Sequence, residues 1–160
     1  MIDWDEFVSK EGEKILNYVN KIIGDKDNSS DIVQDTFLAF YQNMNRIDEE
    51  YRLAWIYKTA HNKAINFLKK HKRLVFGSFP EMIHHDNVED EIRQKKLEQA
   101  VQECFRRLKP KYAMVLELQY YQKKSYKEIS AITGMSVSAI ESVLVRAKKE
   151  CKKILKDLLD

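Results

Sequence analysis

Ser125-Tyr126-Lys127-Glu128-Ile129-Ser130-Ala131-Ile132-Thr133-Gly134-Met135-Ser136-Val137-Ser138-Ala139-Ile140-Glu141-Ser142-Val143-Leu144-Val145-Arg146-Ala147-Lys148-Lys149 sets two helical stretches on either side of a glycine turn. Ser125 with Glu128 three residues later is a capping box, which opens a short helix through Thr133. Gly134-Met135 turns the chain, Ser136 caps again, and a long helix runs from Val137 towards Leu159. Ile129, Ile132, Val137, Ile140 and Leu144 are expected to lock the two helices together. The other side of the second helix carries Ser138, Glu141, Ser142, Val145, Arg146 and Lys149, side chains suited to base edges and phosphates. A helix N-terminus, here at Ser136, also favours a phosphate. The layout is that of a helix-turn-helix; a plain helical hairpin with a charged surface is the bland alternative.

Upstream, Leu97, Val101, Phe105 and Leu108 form an apolar stripe that stops at Lys109-Pro110, where proline suits the first turn of a new helix. Tyr112, Val115, Leu116 and Tyr120 of that helix are expected to pack inward. Between about Leu74 and Lys96 periodicity fails, with Gly77-Ser78-Phe79-Pro80 and the polar His84-His85-Asp86-Asn87. This stretch is expected to be a linker, with room for a helix start near Val88. The N-terminal part contains three helices. The first is capped by Asp3 with Glu6 and runs to the turn Gly24–Ser29. The second is capped by Ser29 or Ser30 and carries Ile32, Val33, Thr36, Phe37, Phe40 and Tyr41 on one side, with Asp31, Gln34, Asp35 and Leu38 opposite. The third, from about Glu50 to His71, buries Leu53, Ile56, Ala60, Ala64, Phe67 and Leu68 and exposes Lys58, Asn62, Lys63, Asn66, Lys69 and Lys70. Abundant helix formers, with only 4 Gly and 2 Pro in 160 residues, make the whole chain all-α. Two small helical domains, at 1–74 and 97–160, are expected on either side of an acidic linker at 75–96.

Net charge is only +3, but its sign alternates along the chain. Residues 1–50 hold five Lys or Arg against twelve Asp or Glu, and residues 51–75 hold seven bases and no acid. Residues 76–105 hold three bases against seven acids, and residues 106–160 hold thirteen against six. Two basic blocks between acidic ones suggest two surfaces that face a polyanion and others that face something else. In the third helix, Tyr51, Trp55 and Tyr57 are interleaved with the basic side chains. Cations neutralise phosphates and rings stack on unpaired bases, although core aromatics on a basic helix would give the same pattern.

Other function classes find little support. His61, His71, His84, His85, Cys104 and Cys151 lack the spacing of a zinc site, and no phosphate-cradling glycine loop or nucleophile motif is present. No metal, cofactor or catalytic residue is therefore expected. The acidic start lacks a secretory signal, and no apolar run approaches the ~18 residues of a membrane span. A cytoplasmic location follows, without membrane insertion, and Cys104 and Cys151 are expected to be reduced and structural.

Three stretches together resemble one family. Ser30-Asp31-Ile32-Val33-Gln34-Asp35-Thr36-Phe37-Leu38 resembles region 2.2 of bacterial sigma factors, and Ala54-Trp55-Ile56-Tyr57-Lys58-Thr59-Ala60-His61-Asn62-Lys63-Ala64-Ile65-Asn66-Phe67-Leu68 resembles their regions 2.3–2.4. The stretch from Ser125 to Lys149 resembles region 4.2. Their order and spacing are similar to the extracytoplasmic-function sigma factors, which keep regions 2 and 4 without the intervening globular domain. The resemblance implies a protein that binds core RNA polymerase and directs initiation at promoters by recognising −35 and −10 elements and helping to melt the −10 region.

Site roles follow from the resemblance. Asp31, Gln34 and Asp35, with Leu38 on the same face, match the surface that grips the β′ clamp helices of the polymerase. The β flap is the implied contact of region 4. Asn62, Lys63 and Asn66 match the −10 side, with Lys58, Lys69 and Lys70 beside them. The loop from Asn43 to Arg52, including Asn45 and Arg46, corresponds to the one that captures a flipped-out −10 base. Trp55 corresponds to the first of two adjacent melting tryptophans. The second position is Ile56, which implies weaker intrinsic melting and a stricter promoter requirement, and a core role for Trp55 stays open. The linker is implied to thread near the template and the exiting RNA. Ser136, Ser138, Glu141, Ser142, Val145, Arg146 and Lys149 are implied to face −35 DNA. Glu141 departs from the Arg or Lys of many relatives; a carboxylate accepts from cytosine but repels phosphate. Family members are commonly held by an anti-sigma partner. A stand-alone helix-turn-helix regulator, or a sigma-like polymerase-binding regulator, is the alternative.

Overall fold

A computed structural model describes residues 2–71 and 88–159, so part of the expected linker, with Gly77, Pro80, His84 and His85, lies outside the described residues. The described residues are helical throughout. Helix α1 spans Trp4–Ile23, α2 Lys26–Asn43 and α3 Arg52–Lys70, with single 3-10 turns at Met44–Arg46 and Glu49–Tyr51. Helix α4 spans Val88–Arg107 and α5 Pro110–Leu116, which continues as a π-helical turn over Glu117–Tyr121; α6 spans Tyr126–Thr133 and α7 Val137–Leu159.

Local chemistry explains most helix ends. The Asp3 carboxylate accepts from Glu6 N at 3.1 Å and starts α1. Gly24, at φ 73°, closes it by donating to the Asn20 carbonyl at 2.8 Å, a conformation that costs glycine little. Because α1 ends so sharply, α2 begins at once, and its cap is Asp25 rather than Ser29 or Ser30. Asp25 accepts from Asp27 N and Asn28 N, and the Asn28 side chain and backbone hold its carboxyl below the usual range. Ser29 lies buried inside the helix and donates to the Asp25 carbonyl at 2.6 Å.

Helices α1, α2 and α3 share one core. Ile15, Tyr18, Val19, Ile22, Phe40, Ile56, Ala60 and Ala64 are buried, whereas Leu53, Phe67 and Leu68 are only partly covered. The Phe40 ring lies 6.0 Å from Trp4, 5.6 Å from Phe7 and 6.0 Å from Trp55, so one side chain ties three helices together. Tyr18 and His61, both buried, share a 2.7 Å hydrogen bond between Oη and Nδ1.

In the C-terminal part the apolar stripe of α4 runs through Ala100, Cys104, Phe105 and Leu108. Leu97, expected inside, is exposed. Residues 88–96, within the stretch read as linker, are helical. Cys104 and Cys151, expected as reduced thiols, lie against each other across α4 and α7, with Cα atoms 5.8 Å apart; each apolar stripe points its cysteine at the other. The π-helical turn, marked by Gln122 N donating to the Glu117 carbonyl at 3.0 Å, shifts the phase of the helix. Tyr120, expected to pack inward, is therefore exposed, while Glu117, next in the run of buried residues from Ala113, is buried.

The two helical groups pack on each other. Phe105 meets Tyr18 edge-on at 6.3 Å, and Arg106 Nε donates to the Ile22 carbonyl at 2.7 Å. Gln122 Nε2 donates to Tyr57 Oη at 2.6 Å, and Lys21 pairs with Glu117.

Burial pushes the His61 imidazole down to about 4. The folded chain keeps it neutral, whereas the unfolded chain takes up a proton near pH 6.5. Its contribution to stability is therefore complete above pH 6.5 and is lost as pH falls from 6.5 towards 4. Urea unfolding should lose about 2 kcal/mol between pH 7.5 and 5 from this group, and a folded His61→Gln variant should lose correspondingly less over the same window.

Candidate polymerase and nucleic-acid interfaces

Three surfaces emerge from the helical phases. On α2, Ile32, Val33, Thr36, Phe37 and Phe40 are buried, which turns Asp31, Gln34, Asp35 and Leu38 outward; all four are exposed. Leu38 is 56 % exposed, an apolar side chain in the middle of a polar face. Beside it runs an apolar groove of ≈ 460 Å³ between α1 and α2, lined by Trp4, Val8, Leu16, Val33 and Phe37. An acidic rim around an exposed leucine suits a protein partner better than a polyanion.

On α3, Lys58, Asn62, Asn66, Lys69 and Lys70 are exposed and Lys63 is half-buried. Tyr51, Trp55, Lys58, Asn62, Asn66 and Lys69 recur at steps of three and four and so share one face. Trp55 is half-buried, with its ring 6.0 Å from that of Phe40. Asn45 and Arg46 stand exposed in the 3-10 turn after α2.

In the C-terminal group the expected capping box is present: Glu128 N donates to Ser125 Oγ at 3.1 Å, and Ser125 N to Glu128 Oε1 at 3.2 Å. These bonds hold the Glu128 carboxyl below its usual range. Gly134 ends α6 at φ 73°, and Ser136 Oγ accepts from Ala139 N at 3.1 Å to start α7. Ile140, Val143, Leu144 and Ala147 are buried; Val137, expected to lock the pair, is exposed at the helix start. Ser138, Glu141, Ser142, Val145, Arg146 and Lys149 are all exposed in one stripe. Val145, 67 % exposed, offers an apolar contact of the kind that meets a thymine methyl. Lys148 is turned off this stripe towards the Tyr120 ring, 5.5 Å away.

Sequence reasoning missed the contacts that join the two groups. Glu117, a single acid within Ala113-Met114-Val115-Leu116-Glu117-Leu118, was the available signal, because a buried carboxylate needs a partner. Among the described residues no group of His, Cys, Asp and Glu is placed to hold a metal ion. No single helix there is long and apolar enough to cross a membrane.

Comparison with known proteins agrees with this layout. Residues 7–74 match sigma-70 region 2, and residues 98–151 match sigma-70 region 4. The chain is 29% identical over 154 residues to RNA polymerase sigma factor SigZ of Bacillus subtilis (strain 168), covering 95% of this chain and 84% of that one. It is 25% identical to ECF RNA polymerase sigma factor SigM of the same organism, covering 92% of each. The chain belongs to the extracytoplasmic-function sigma factors.

Such a sigma factor directs RNA polymerase to promoters, and the reading as a stand-alone regulator is not favoured. Solved structures share the fold. CnrH, in complex with the cytosolic domain of CnrY, superposes with a TM-score of 0.55 at 20% identity, covering 96% of this chain and 88% of that one. RpoE of Bartonella quintana, in complex with the anti-sigma factor NepR, gives 0.51 at 19% identity, covering 96% and 97%. In this sigma factor, α1–α3 correspond to region 2 and α4–α7 carry region 4.

The α6–α7 turn depends on glycine twice over. The backbone is left-handed at Gly134, and a Cβ there would collide with the Tyr51 ring. Gly134→Ala should lower stability by at least about 1 kcal/mol from the left-handed conformation alone, and circular dichroism melting should show it as a reduced midpoint.

Proposed function

We propose that this sigma factor works through the three surfaces in turn. Asp31, Gln34, Asp35 and Leu38 on α2 dock on the β′ clamp helices of core RNA polymerase. Region 4, taken as residues 97–160 with a linker at 75–96 and region 2 at 1–74, docks near the β flap. The exposed phase of α2 carries this reading: its outward side chains are acidic and apolar, while the neighbouring α3 is basic. A chain that bound DNA alone would have no use for that face.

On α3, Lys58, Lys63, Lys69 and Lys70 neutralise phosphates of the −10 region, and Asn62 and Asn66 bond to its exposed edges. Asn45, Arg46 and the rest of the loop to Arg52 take a base leaving the stack. Trp55 offers a partial stacking surface, since Phe40 covers part of its ring, and melting therefore leans on the polymerase and on a favourable −10 sequence. Helix α7 enters the −35 major groove: Arg146 and Lys149 meet base edges or phosphates, Ser136, Ser138 and Ser142 bond to the backbone, Val145 makes an apolar contact, and Glu141 selects against the wrong base pair.

None of these steps needs chemistry by the chain itself; the polymerase makes every bond. Its place of action is the cytoplasm, where Cys104 and Cys151 stay reduced and packed between α4 and α7. CnrH and RpoE are each held by a partner in their structures, and an anti-sigma factor is proposed for this chain too.

Binding to purified bacterial core RNA polymerase tests this assignment. Replacing Asp31, Gln34 and Asp35 by Ala in a chain that stays folded should weaken binding roughly tenfold or more; unchanged affinity would remove α2 from the interface. Arg146→Ala should spare polymerase binding and reduce promoter-specific open-complex formation by about 1–3 kcal/mol. Open complexes that form equally well across a range of salt would remove Arg146 from the −35 contact.

A further inference from the structure

The exposed stripe of α7 is chemically narrow where it begins. Buried Ile140, Val143, Leu144 and Ala147 fix the rotation of the helix, and the Ser136 cap fixes its start. Ser138, Glu141, Ser142 and Val145 are thereby held outward ahead of the first cation, Arg146. Residues 137–145 contain no Lys, Arg, Asn or Gln. In a helix-turn-helix, the first turns of the second helix are the part that reaches base edges. Within those turns Glu141 alone has a side chain longer than serine that can also form a hydrogen bond.

Its carboxylate has no cation to neutralise it. Side chains that pair along a helix lie three or four positions apart, and those positions hold Val137, Ser138, Leu144 and Val145. Lys148 is turned towards the Tyr120 ring, 5.5 Å away. Among the described residues no ion pair involves Glu141. A bare carboxylate brought up to DNA is repelled by phosphate and is compensated only where a base offers it a donor. In the major groove guanine presents the acceptors N7 and O6, and thymine presents the acceptor O4 beside its methyl group. Adenine sets the acceptor N7 next to its amino group, whereas cytosine presents its N4 amino donor. Of the four bases, cytosine therefore fits a carboxylate best.

Val145 narrows the site further. It stands one turn beyond Glu141, ~6 Å along the helix axis at about 1.5 Å per residue, which is about two base-pair steps of ~3.4 Å. Its side chain is apolar and 67 % exposed, and the apolar group on the floor of the major groove is the thymine methyl. We infer that Glu141 is a specificity-determining residue that demands a C·G pair in the −35 element, its carboxylate accepting from the cytosine N4 amino group. Val145 adds a thymine within about two base pairs of that cytosine. Glu141 acts by attraction at one base and by repulsion at the other three. The inference rests on the reading of α7 as the −35 helix.

A promoter that the chain uses, with its −35 region randomised, tests this when transcribed by core polymerase loaded with the full chain. Sequencing the templates that yield RNA should show one −35 position at which cytosine is favoured roughly tenfold over each other base, with thymine enriched within two base pairs. Glu141→Gln replaces the carboxylate by an amide, which suits the N6 and N7 of adenine. The preference at that one position should move from cytosine to adenine while every other position keeps its own. Glu141→Ala should erase the preference there and leave the rest. Glu141 is exposed, so both variants should keep the native circular dichroism spectrum. Variants that transcribe more strongly from every template with unchanged base preferences would overturn the proposal, because Glu141 would then act only as a charge against phosphate. A native pool without an enriched cytosine would overturn it as well. Arg146→Ala separates the two readings. If it alters a −35 preference while the Glu141 variants do not, only the cytosine assignment falls; if none of the three alters any, α7 is not the −35 helix and both fall.

Discussion

Phe40 is the side chain on which region 2 depends. Its ring has no exposure and touches Trp4 and Phe7 from α1 and Trp55 from α3. An inward residue at that point sets the rotation of α2 about its own axis, and a helix has only one rotation. With Val33, Phe37 and Phe40 inside, Asp31, Gln34, Asp35 and Leu38 have to face out. The same contact holds one side of the Trp55 ring and so orients the basic face of α3. A single aromatic cluster thus fixes the angle between the acidic face of α2 and the basic face of α3, the surfaces proposed for a protein and for nucleic acid.

Charge divides the work between those surfaces. Basic side chains on α3 and α7 are suited to a polyanion, and their attraction to phosphate is long-ranged and salt-sensitive. The acidic face of α2 repels the same phosphates, which would keep DNA off the side proposed to dock on polymerase. Where the two regions meet, charge is used differently. Lys21 and Glu117 are removed from water together, and a buried pair of this kind contributes more to the choice of partner surface than to net stability.

Local signals were legible in the sequence because they depend on residues three or four apart. The Asp3 cap, the Ser125–Glu128 box, the Gly134 turn and the outward stripe of α7 are all of this kind, and so is the outward face of α2. The cap of α2 was misplaced because serines at 29 and 30 compete with Asp25, and only the abrupt end of α1 at Gly24 decides between them. Tyr120 was misplaced because a π-helical turn breaks the 3.6-residue period on which the reading relied. The Tyr18–His61 bond, the Lys21–Glu117 pair, the Gln122–Tyr57 bond and the Cys104–Cys151 contact join residues far apart in the chain. No short-range pattern announces them. Family resemblance supplied what spacing alone could not, namely the role proposed for each exposed face.

Transcription from purified components bears most directly on the sigma assignment. Core polymerase would be supplied with fragmented DNA of the source bacterium, with and without the full chain, and the 5′ ends of the RNA mapped. The assignment predicts new start sites that depend on the chain and share two short upstream elements at one fixed spacing. A chain that binds polymerase yet yields no new start sites, or start sites with no shared elements, would contradict it.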